Sequence, residues 1–223
     1  MISAVIFDFD GIIVDSERLH WAAFNNVLSE PISWKDYIET LIGFDDRDAF
    51  KYLFPAIGKV ELAGLIEKKA AAFQDLLESD GAAALPGAVE LIKHLSGNIP
   101  LAICSGALRE DILPIIGKLG VADAFDTIVT AEDTRISKPD PAPYSKAWNQ
   151  LTEKFQALEN ISTGLAIEDT PAGIASAKGA GLKVLSITNS YPAEYLTEAD
   201  AIVDTLEGLT LEKLDLLLLP CKP

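Results

Sequence analysis

Residues 7–16 read Phe7-Asp8-Phe9-Asp10-Gly11-Ile12-Ile13-Val14-Asp15-Ser16, directly after a short apolar run. Ile2, Ala4, Val5, Ile6 and Phe7 make that run nearly continuous, as expected of a strand covered on both faces. Gly11 allows a tight turn immediately afterwards. Asp8 and Asp10 then project at the carboxyl edge of a parallel sheet, where open α/β folds place their ligands. Asp also ends strands and caps helices as an ordinary turn residue. The Asp-x-Asp-Gly pattern alone therefore decides nothing, and the rest of the chain must be read against it.

Strand-like runs recur at Ile2–Phe7, Pro100–Cys104, Thr127–Val129, Gly164–Ile167, Lys183–Ile187 and Ala201–Val203, with helical patterns between most of them. From residue 86 onward helix and strand alternate, which indicates right-handed βαβ units and a parallel, Rossmann-like α/β sheet. Pro86-Gly87 opens a helix over Ala88–Leu95, and Pro171 fits the first turn of another, with Asp169 or Thr170 as its cap. Residues 17 to 80 break the rhythm: Leu19, Ala22, Ala23, Asn26 and Val27 follow helical spacing, as do Leu62, Leu65, Ile66, Lys69, Ala70, Phe73, Leu76 and Leu77. Gly43, Pro55, Gly58 and the run from Gly81 punctuate this all-helical stretch. The expected organisation is a core of residues 1–15 and 82–223 with a helical domain of residues 16–81 inserted after the acidic strand end. Such a module is placed to act as a lid, or else simply adds core.

The chain of 223 residues carries 18 Lys plus Arg against 34 Asp plus Glu, a formal charge of −16. Nucleic acid is not an expected partner, because phosphate backbones are bound through clustered Lys and Arg. An anionic membrane surface is disfavoured for the same reason, and no apolar stretch reaches the ~18 residues of a membrane span. Leu216–Leu219 is short and is closed by Pro220. The first apolar run has no basic segment before it and is interrupted by Asp8, so it does not read as a signal peptide. The two cysteines, Cys104 at a strand end and Cys221 in the tail, do not suggest a disulfide, which fits a reducing, cytoplasmic setting. A monomer is the expected state.

Beyond Asp8 and Asp10, further polar motifs follow separate candidate strands: Ser105-Gly106, Lys138 within Ser137-Lys138-Pro139-Asp140-Pro141, and Glu168-Asp169. A parallel sheet delivers all of them to one edge. Carboxylates from Asp8 and Asp169, with water, suit Mg²⁺, which shares its octahedron with substrate phosphate oxygens. A carboxylate also attacks phosphorus. Asp10 is then available to protonate the leaving oxygen and later to activate water. Lys138 offsets repulsion between a nucleophilic carboxylate and a phosphoryl group, and Ser105 with the following backbone N–H groups holds a phosphoryl oxygen. Taken singly, Ser105 is a turn residue, Lys138 a solvated lysine and Glu168-Asp169 a helix cap. Their order along the chain is what independent turns do not explain.

With these motifs in place the chain resembles the haloacid-dehalogenase superfamily, in the branch with a helical cap after the first motif that includes β-phosphoglucomutase and phosphoglycolate phosphatase. The resemblance rests on Asp8-Phe9-Asp10-Gly11 with Asp15-Ser16-Glu17, on Cys104-Ser105-Gly106, on Ser137-Lys138-Pro139-Asp140-Pro141 and on Ile167-Glu168-Asp169-Thr170-Pro171-Ala172-Gly173. It implies a Mg²⁺-dependent phosphatase of a small phosphorylated metabolite, such as a sugar phosphate. Asp8 is then nucleophile and metal ligand, and Asp10 is acid/base and offers its backbone carbonyl to the metal. Asp169 is a ligand, Glu168 contributes directly or through water, and Ser105 and Lys138 bind the phosphoryl group. Asp10 also separates the chain from true dehalogenases, which lack that carboxylate and protonate no alkoxide.

In β-phosphoglucomutase-like members, residues at the positions of His20 and Lys69 and an arginine near Gly43 serve the substrate. That assigns His20, Arg47 and Lys69 to substrate binding, although the spacing from Gly43 to Arg47 is one residue longer than the resemblance calls for. They read equally as a surface histidine, an arginine paired with Asp45 or Asp48, and a snorkelling lysine. After the serine the mutase carries a lysine and an asparagine; here Leu108 stands at the lysine position with Arg109 beside it. Gly106 and Arg109 are the remaining candidates for substrate binding. Loss of the mutase pair favours a hydrolase over the alternative, a phosphohexomutase. A third possibility is a phospho-accepting signalling module, which also combines paired acids, a phosphorylated Asp, a Ser/Thr and a Lys on a parallel sheet. Such modules lack the helical insertion and place their acids and phosphorylation site on different strands.

Overall fold

A computed structural model describes residues 1–42 and 44–219, apart from the Asp80 side chain. Gly43, Pro220 and Cys221, used in the reading above, lie outside the described residues. The chain divides into two compact units, Met1–Val14 with Ala84–Pro223, and Asp15–Ala83.

The first unit is the α/β core. Its elements in chain order are β1 (Ala4–Phe7) and, after the insertion, α5 (Ala88–Leu95), β4 (Leu101–Cys104), α6 (Arg109–Lys118), β5 (Thr127–Val129), α7 (Ala142–Lys154), β6 (Gly164–Glu168), α8 (Pro171–Ala180), β7 (Lys183–Ile187), β8 (Ala201–Val203) and α9 (Leu211–Leu217). The strands form one sheet in the order β5-β4-β1-β6-β7-β8, and each neighbouring pair is parallel. The order runs outward from β1 through β4 to β5, then returns to the other side of β1 for β6. The switch in direction therefore falls between β1 and β6, and the crevice at such a switch is where ligands of open sheets bind. β1, β4 and β6 are fully buried, which is why their sequences are apolar without alternation. On one face Ala4, Ile6, Ala102, Cys104 and Ala166 pack with Tyr144, Trp148 and Leu151 of α7 and Ile174 and Ala177 of α8.

The second unit is helical: α1 (Glu17–Val27), α2 (Trp34–Thr40), α3 (Asp46–Leu53) and α4 (Lys59–Asp80). The short strands β2 (Val14–Asp15) and β3 (Ala83–Ala84), where the chain passes from one unit to the other, pair as a two-stranded ribbon. Phe24, Tyr37, Leu41, Ala49 and Phe50 form the cap's own core. Helix ends follow their sequence signals. Ser33 and Asp45 cap α2 and α3 by accepting from the N–H groups of Asp36 and Asp48. Gly81, at φ 72°, closes α4.

Candidate active site

Strand register brings the acidic groups together. Phe7 pairs with Ile103 on one side and Ile167 on the other, so the residues that follow, Asp8, Cys104 and Glu168, stand at one level. The Asp8 N–H donates to the Ile167 carbonyl at 3.0 Å, carrying the pairing one residue past the strand. The chain then folds into a tight turn, in which the Ile13 N–H donates to the Phe9 carbonyl at 2.8 Å and the Gly11 N–H to Val14 at 2.9 Å. Half-buried Asp10 sits at its tip. Lys138 arrives from the loop between β5 and α7, with a cis peptide bond to Pro139. Its ammonium donates to Glu168 Oε1 at 2.7 Å and stands 3.0 Å from Asp8 Oδ1.

Glu168 is enclosed by donors. Oε1 accepts from Lys138 and from the Tyr144 hydroxyl at 2.8 Å; Oε2 accepts from the Asp169 N–H at 3.1 Å and the Thr170 hydroxyl at 3.2 Å. A carboxylate offers about four lone-pair sites, so this geometry commits Glu168 first to orienting Lys138. Direct ligation of a cation would displace one of these donors. Thr170, rather than Asp169, caps α8, accepting from the Gly173 N–H. Two glycines make room for the carboxylates: a Cβ on Gly173 would overlap the Glu168 carboxylate, and one on Gly11, at φ +75°, would overlap Asp169 Oδ2.

Asp8, Glu168 and Asp169 are buried and bring carboxylate oxygens within 4.8 Å of one another. Burial, then the charge of Glu168, push the Asp8 carboxyl well above the usual range despite the counter-charge of Lys138. Burial by itself would lower Lys138, but Asp8 and Glu168 hold its ammonium well above the ordinary lysine value. Beneath them burial pushes the Cys104 thiol up to about 12, leaving it an inert core residue. Three buried carboxylates against one ammonium are short of positive charge, and their donors are hard oxygens. That set fits Mg²⁺, which prefers few carboxylates and keeps coordination sites for water and phosphate.

Of the other expected residues, Ser105 is buried at the end of β4, and its Oγ accepts from the Ala107 N–H at 3.0 Å. That turn uses a lone pair of the hydroxyl and not its proton, so both readings of the residue coexist. Gly106 is exposed in the same turn. Arg109 is directed elsewhere: its guanidinium donates to Asp133 at 2.7 Å and to the Ile128 carbonyl at 3.0 Å.

Within the cap, Lys69 and His20 do meet. The Lys69 ammonium donates to His20 Nδ1 at 2.7 Å and pairs with Asp46 Oδ1 at 2.7 Å, over the rings of Phe24 and Phe73. Asp46, not Arg47, is the residue of this turn that reaches Lys69. One residue along a helix is about 100° of rotation, so Arg47, half-buried, leaves α3 on a different bearing from Asp46. Sequence reading missed Asp46, Tyr144 and Ser190, whose Oγ donates to Asp169 Oδ2, and Asn189, whose amide donates to the Gly11 carbonyl at 2.7 Å. The extra residue between Gly43 and Arg47 was a signal for Asp46. Nothing in the spacing marks Ser190 or Asn189.

The model of the haloacid dehalogenase-like hydrolases matches residues 5–187. Validoxylamine A 7'-phosphate phosphatase of Streptomyces hygroscopicus subsp. limoneus is 29% identical over 92% of this chain and 95% of its own length. Hexitol phosphatase A of Escherichia coli strain K12 is 30% identical over 93% of both chains. In fold, the crystal structure of CbbY from Rhodobacter sphaeroides in complex with phosphate superposes with a TM-score of 0.86 at 24% identity, over 96% of this chain and 100% of that one. No helix among the described residues is long and apolar enough to cross a membrane. With an acidic cluster at the switch point, an orienting lysine and a match over most of its length, this chain belongs to the haloacid dehalogenase-like hydrolase family.

Proposed function

We propose that the protein is a Mg²⁺-dependent phosphatase that hydrolyses a small phosphorylated metabolite, in the class of sugar and polyol monophosphates, through a phosphoaspartate on Asp8. The observation that carries this reading is Lys138 held between Asp8 and Glu168, beside Asp169, at the carboxyl ends of β1 and β6. Asp8 and Asp169 are the residues to hold Mg²⁺, with Glu168 supporting them through its charge and its hold on Lys138. When bound, the cation neutralises these carboxylates and the phosphoryl oxygens and so permits an anion to approach an anion. An Asp8 oxygen forms a bond to phosphorus as the bond from phosphorus to the leaving oxygen breaks. Asp10 gives its proton to that oxygen, releasing an alcohol. Asp10, now ionised, takes a proton from water, whose oxygen attacks phosphorus; phosphate departs and the Asp8 carboxylate is restored. Lys138 stabilises the charge that develops on the phosphoryl oxygens, and Ser105 donates its hydroxyl proton to one of them.

The curated relatives that are phosphatases by name support the hydrolase over the mutase. So does Arg109, which is engaged with Asp133 and thus not placed to replace the distal-phosphate lysine. A panel of phosphometabolites assayed for phosphate release with and without Mg²⁺ tests the proposal. Release that requires Mg²⁺ and falls by orders of magnitude in Asp8→Asn is expected; near wild-type turnover in Asp8→Asn would overturn the covalent route.

A further inference from the structure

The polar motifs of the core site follow β1, β4, β5 and β6, and the exit of β7 adds another. Glu168 pairs with Ser186 across β6 and β7, which brings the end of β7 alongside Asp169. The chain leaving β7 is anchored on both sides. The Thr188 N–H donates to the Val203 carbonyl at 3.2 Å and its hydroxyl to Asp204 Oδ1 at 2.9 Å, while Tyr191 packs on the core cluster. Between these anchors stand Asn189 and Ser190. The Asn189 amide donates to the Gly11 carbonyl at 2.7 Å. Gly11, at φ 75°, has the most backbone freedom of the turn that carries Asp10, and a donor on its carbonyl restrains it. The Ser190 hydroxyl donates to Asp169 Oδ2.

That oxygen is confined from a second side. It lies in the space that a Cβ on Gly11 would fill, and Ser190 Oγ stands 3.0 Å from the same point. To turn both its oxygens toward one cation, Asp169 would have to give up the bond from Ser190 and leave its niche against Gly11. The hydroxyl is neutral, so it orients the carboxylate without cancelling its charge. Glu168 is oriented differently, by the full positive charge of Lys138. Asp169 is thus an anion with one oxygen committed to the β7 exit, an arrangement suited to one-oxygen ligation. Mg²⁺ demands near-ideal octahedral geometry with few carboxylates, whereas Ca²⁺ takes more oxygens in looser geometry and readily uses both of one carboxylate.

We propose that Asn189 and Ser190 are positioning residues that set the cation preference of the site. By holding Asp169 Oδ2 and pinning the Gly11 turn beside it, they restrict Asp169 to one-oxygen ligation and favour Mg²⁺ over Ca²⁺. This rests on the reading of Asp8 and Asp169 as Mg²⁺ ligands and adds to it the residues that decide between cations.

The test measures dissociation constants for Mg²⁺ alone and Ca²⁺ alone by isothermal titration calorimetry on the chelator-treated full chain. The proteins are the wild type, Ser190→Ala, Ser190→Thr and Asn189→Ala. The wild type is expected to bind Mg²⁺ more tightly than Ca²⁺. Ser190→Ala is expected to weaken Mg²⁺ about tenfold or more, the usual cost of losing an orienting partner, and Ca²⁺ by less than about threefold. Ser190→Thr keeps the hydroxyl and with it the wild-type ratio of the two constants. Asn189→Ala, which releases the Gly11 turn, moves the ratio toward Ca²⁺ by a smaller factor than Ser190→Ala. A merely structural role would weaken both cations together and leave their ratio unchanged. An unmoved ratio in Ser190→Ala, a ratio in Ser190→Thr as far from wild type as in Ser190→Ala, or a wild type that prefers Ca²⁺ overturns the inference while the Mg²⁺-dependent reading stands. A wild type that binds neither cation overturns that reading itself. Should Ser190→Ala melt without cooperativity, Asn189→Ala, altered at an exposed side chain, still decides: an unchanged ratio in it overturns the proposal.

Discussion

Tyr144 donates its hydroxyl to Glu168 Oε1 at 2.8 Å from a ring with no exposed surface, and the Lys138 ammonium lies 5.0 Å from the centre of that same ring. One side chain of α7 therefore touches both partners of the ion pair that orients Asp8. Burial and the neighbouring Glu168 raise the phenol well above its ordinary value, so it remains a donor across the working pH range. Tyr144→Phe keeps the ring and removes the donor. Hydrogen bonds to charged groups are worth about 1.5–3 kcal/mol, and a loss of stability of that size is expected in urea unfolding. Partners that orient a ligand shell typically change activity by about tenfold or more when removed. A fall in kcat of that order with KM nearly unchanged identifies Tyr144 as a positioning residue; a wild-type kcat would show that Glu168 holds Lys138 unaided.

The metal-free carboxylate cluster is destabilising at neutral pH. Asp8 has a raised folded-state value, so the stability associated with its protonated form is fully present below the ordinary carboxylate range, near 3.8, and is lost as pH rises through the raised value. A cation that takes over its charge reverses that loss. Mg²⁺ is therefore expected to raise the melting temperature more at pH 8 than at pH 6. Its apparent affinity should weaken toward acid, approaching about tenfold per pH unit below the raised value, because one proton must leave as the metal enters. Asp8→Asn should raise the melting temperature of the metal-free protein and shrink the Mg²⁺ effect. Scanning calorimetry at the two pH values, with and without chelator, measures all three; a Mg²⁺ shift independent of pH would mean that Asp8 is not titrating at the site.

How much of this was legible in the sequence follows from where each contact comes from. Asp8 and Glu168 become neighbours through parallel register, and register follows from buried runs that alternate with helices. Their adjacency could thus be read from chain order, as could the start of α8 at Pro171 and the helical insertion. The partners of these groups are set by side-chain direction and by loop paths, which spacing does not encode. Tyr144 looks like any aromatic on the inner face of α7 until its hydroxyl is seen to reach past the core to β6. Ser190 lies in an irregular stretch after β7, and its contact with Asp169 has no local signature. In the cap, α2 and α3 are too short for hydrophobic periodicity to define them. A single residue of register in the first turn of α3 decides whether an aspartate or an arginine meets Lys69.

Two glycines in α helices separate the steric demand of the site from ordinary helix propensity. Gly173, on α8, lies so close to Glu168 that an added Cβ would overlap the carboxylate, whereas Gly64, inside α4, has nothing within 4 Å of such an atom. Gly173→Ala should displace Glu168 and with it Lys138, giving a destabilisation of about 1–3 kcal/mol and a loss of turnover. Gly64→Ala should stabilise by about 0.5–1 kcal/mol, the helix-interior difference between the two residues. Chemical denaturation with parallel assays checks both. An active, fully stable Gly173→Ala would mean that the Glu168 carboxylate can move without consequence.

Arg109 tests whether a charged residue near the Ser105-Gly106 strand end serves the substrate or the scaffold. Its guanidinium bridges Asp133 and the Ile128 carbonyl, and its backbone N–H donates to Glu132 at 3.0 Å, so these contacts tie the start of α6 to β5 and the turn after it. Partial burial alone would raise Asp133, but the Thr130 N–H and hydroxyl, with Arg109, hold it below the ordinary carboxylate value. A depressed carboxylate contributes stability above its unfolded value and loses it as pH falls through the lowered one. Arg109→Ala should therefore move the onset of acid unfolding to higher pH. The pair is part-exposed, so the expected cost at neutral pH is small, about 0.5 kcal/mol. KM for the preferred phosphate ester should stay within about twofold, since a lost charged contact to substrate would cost far more. A tenfold rise in KM with an unchanged acid transition would assign Arg109 to the substrate after all, and would restore the case for a second phosphate site beside Ser105.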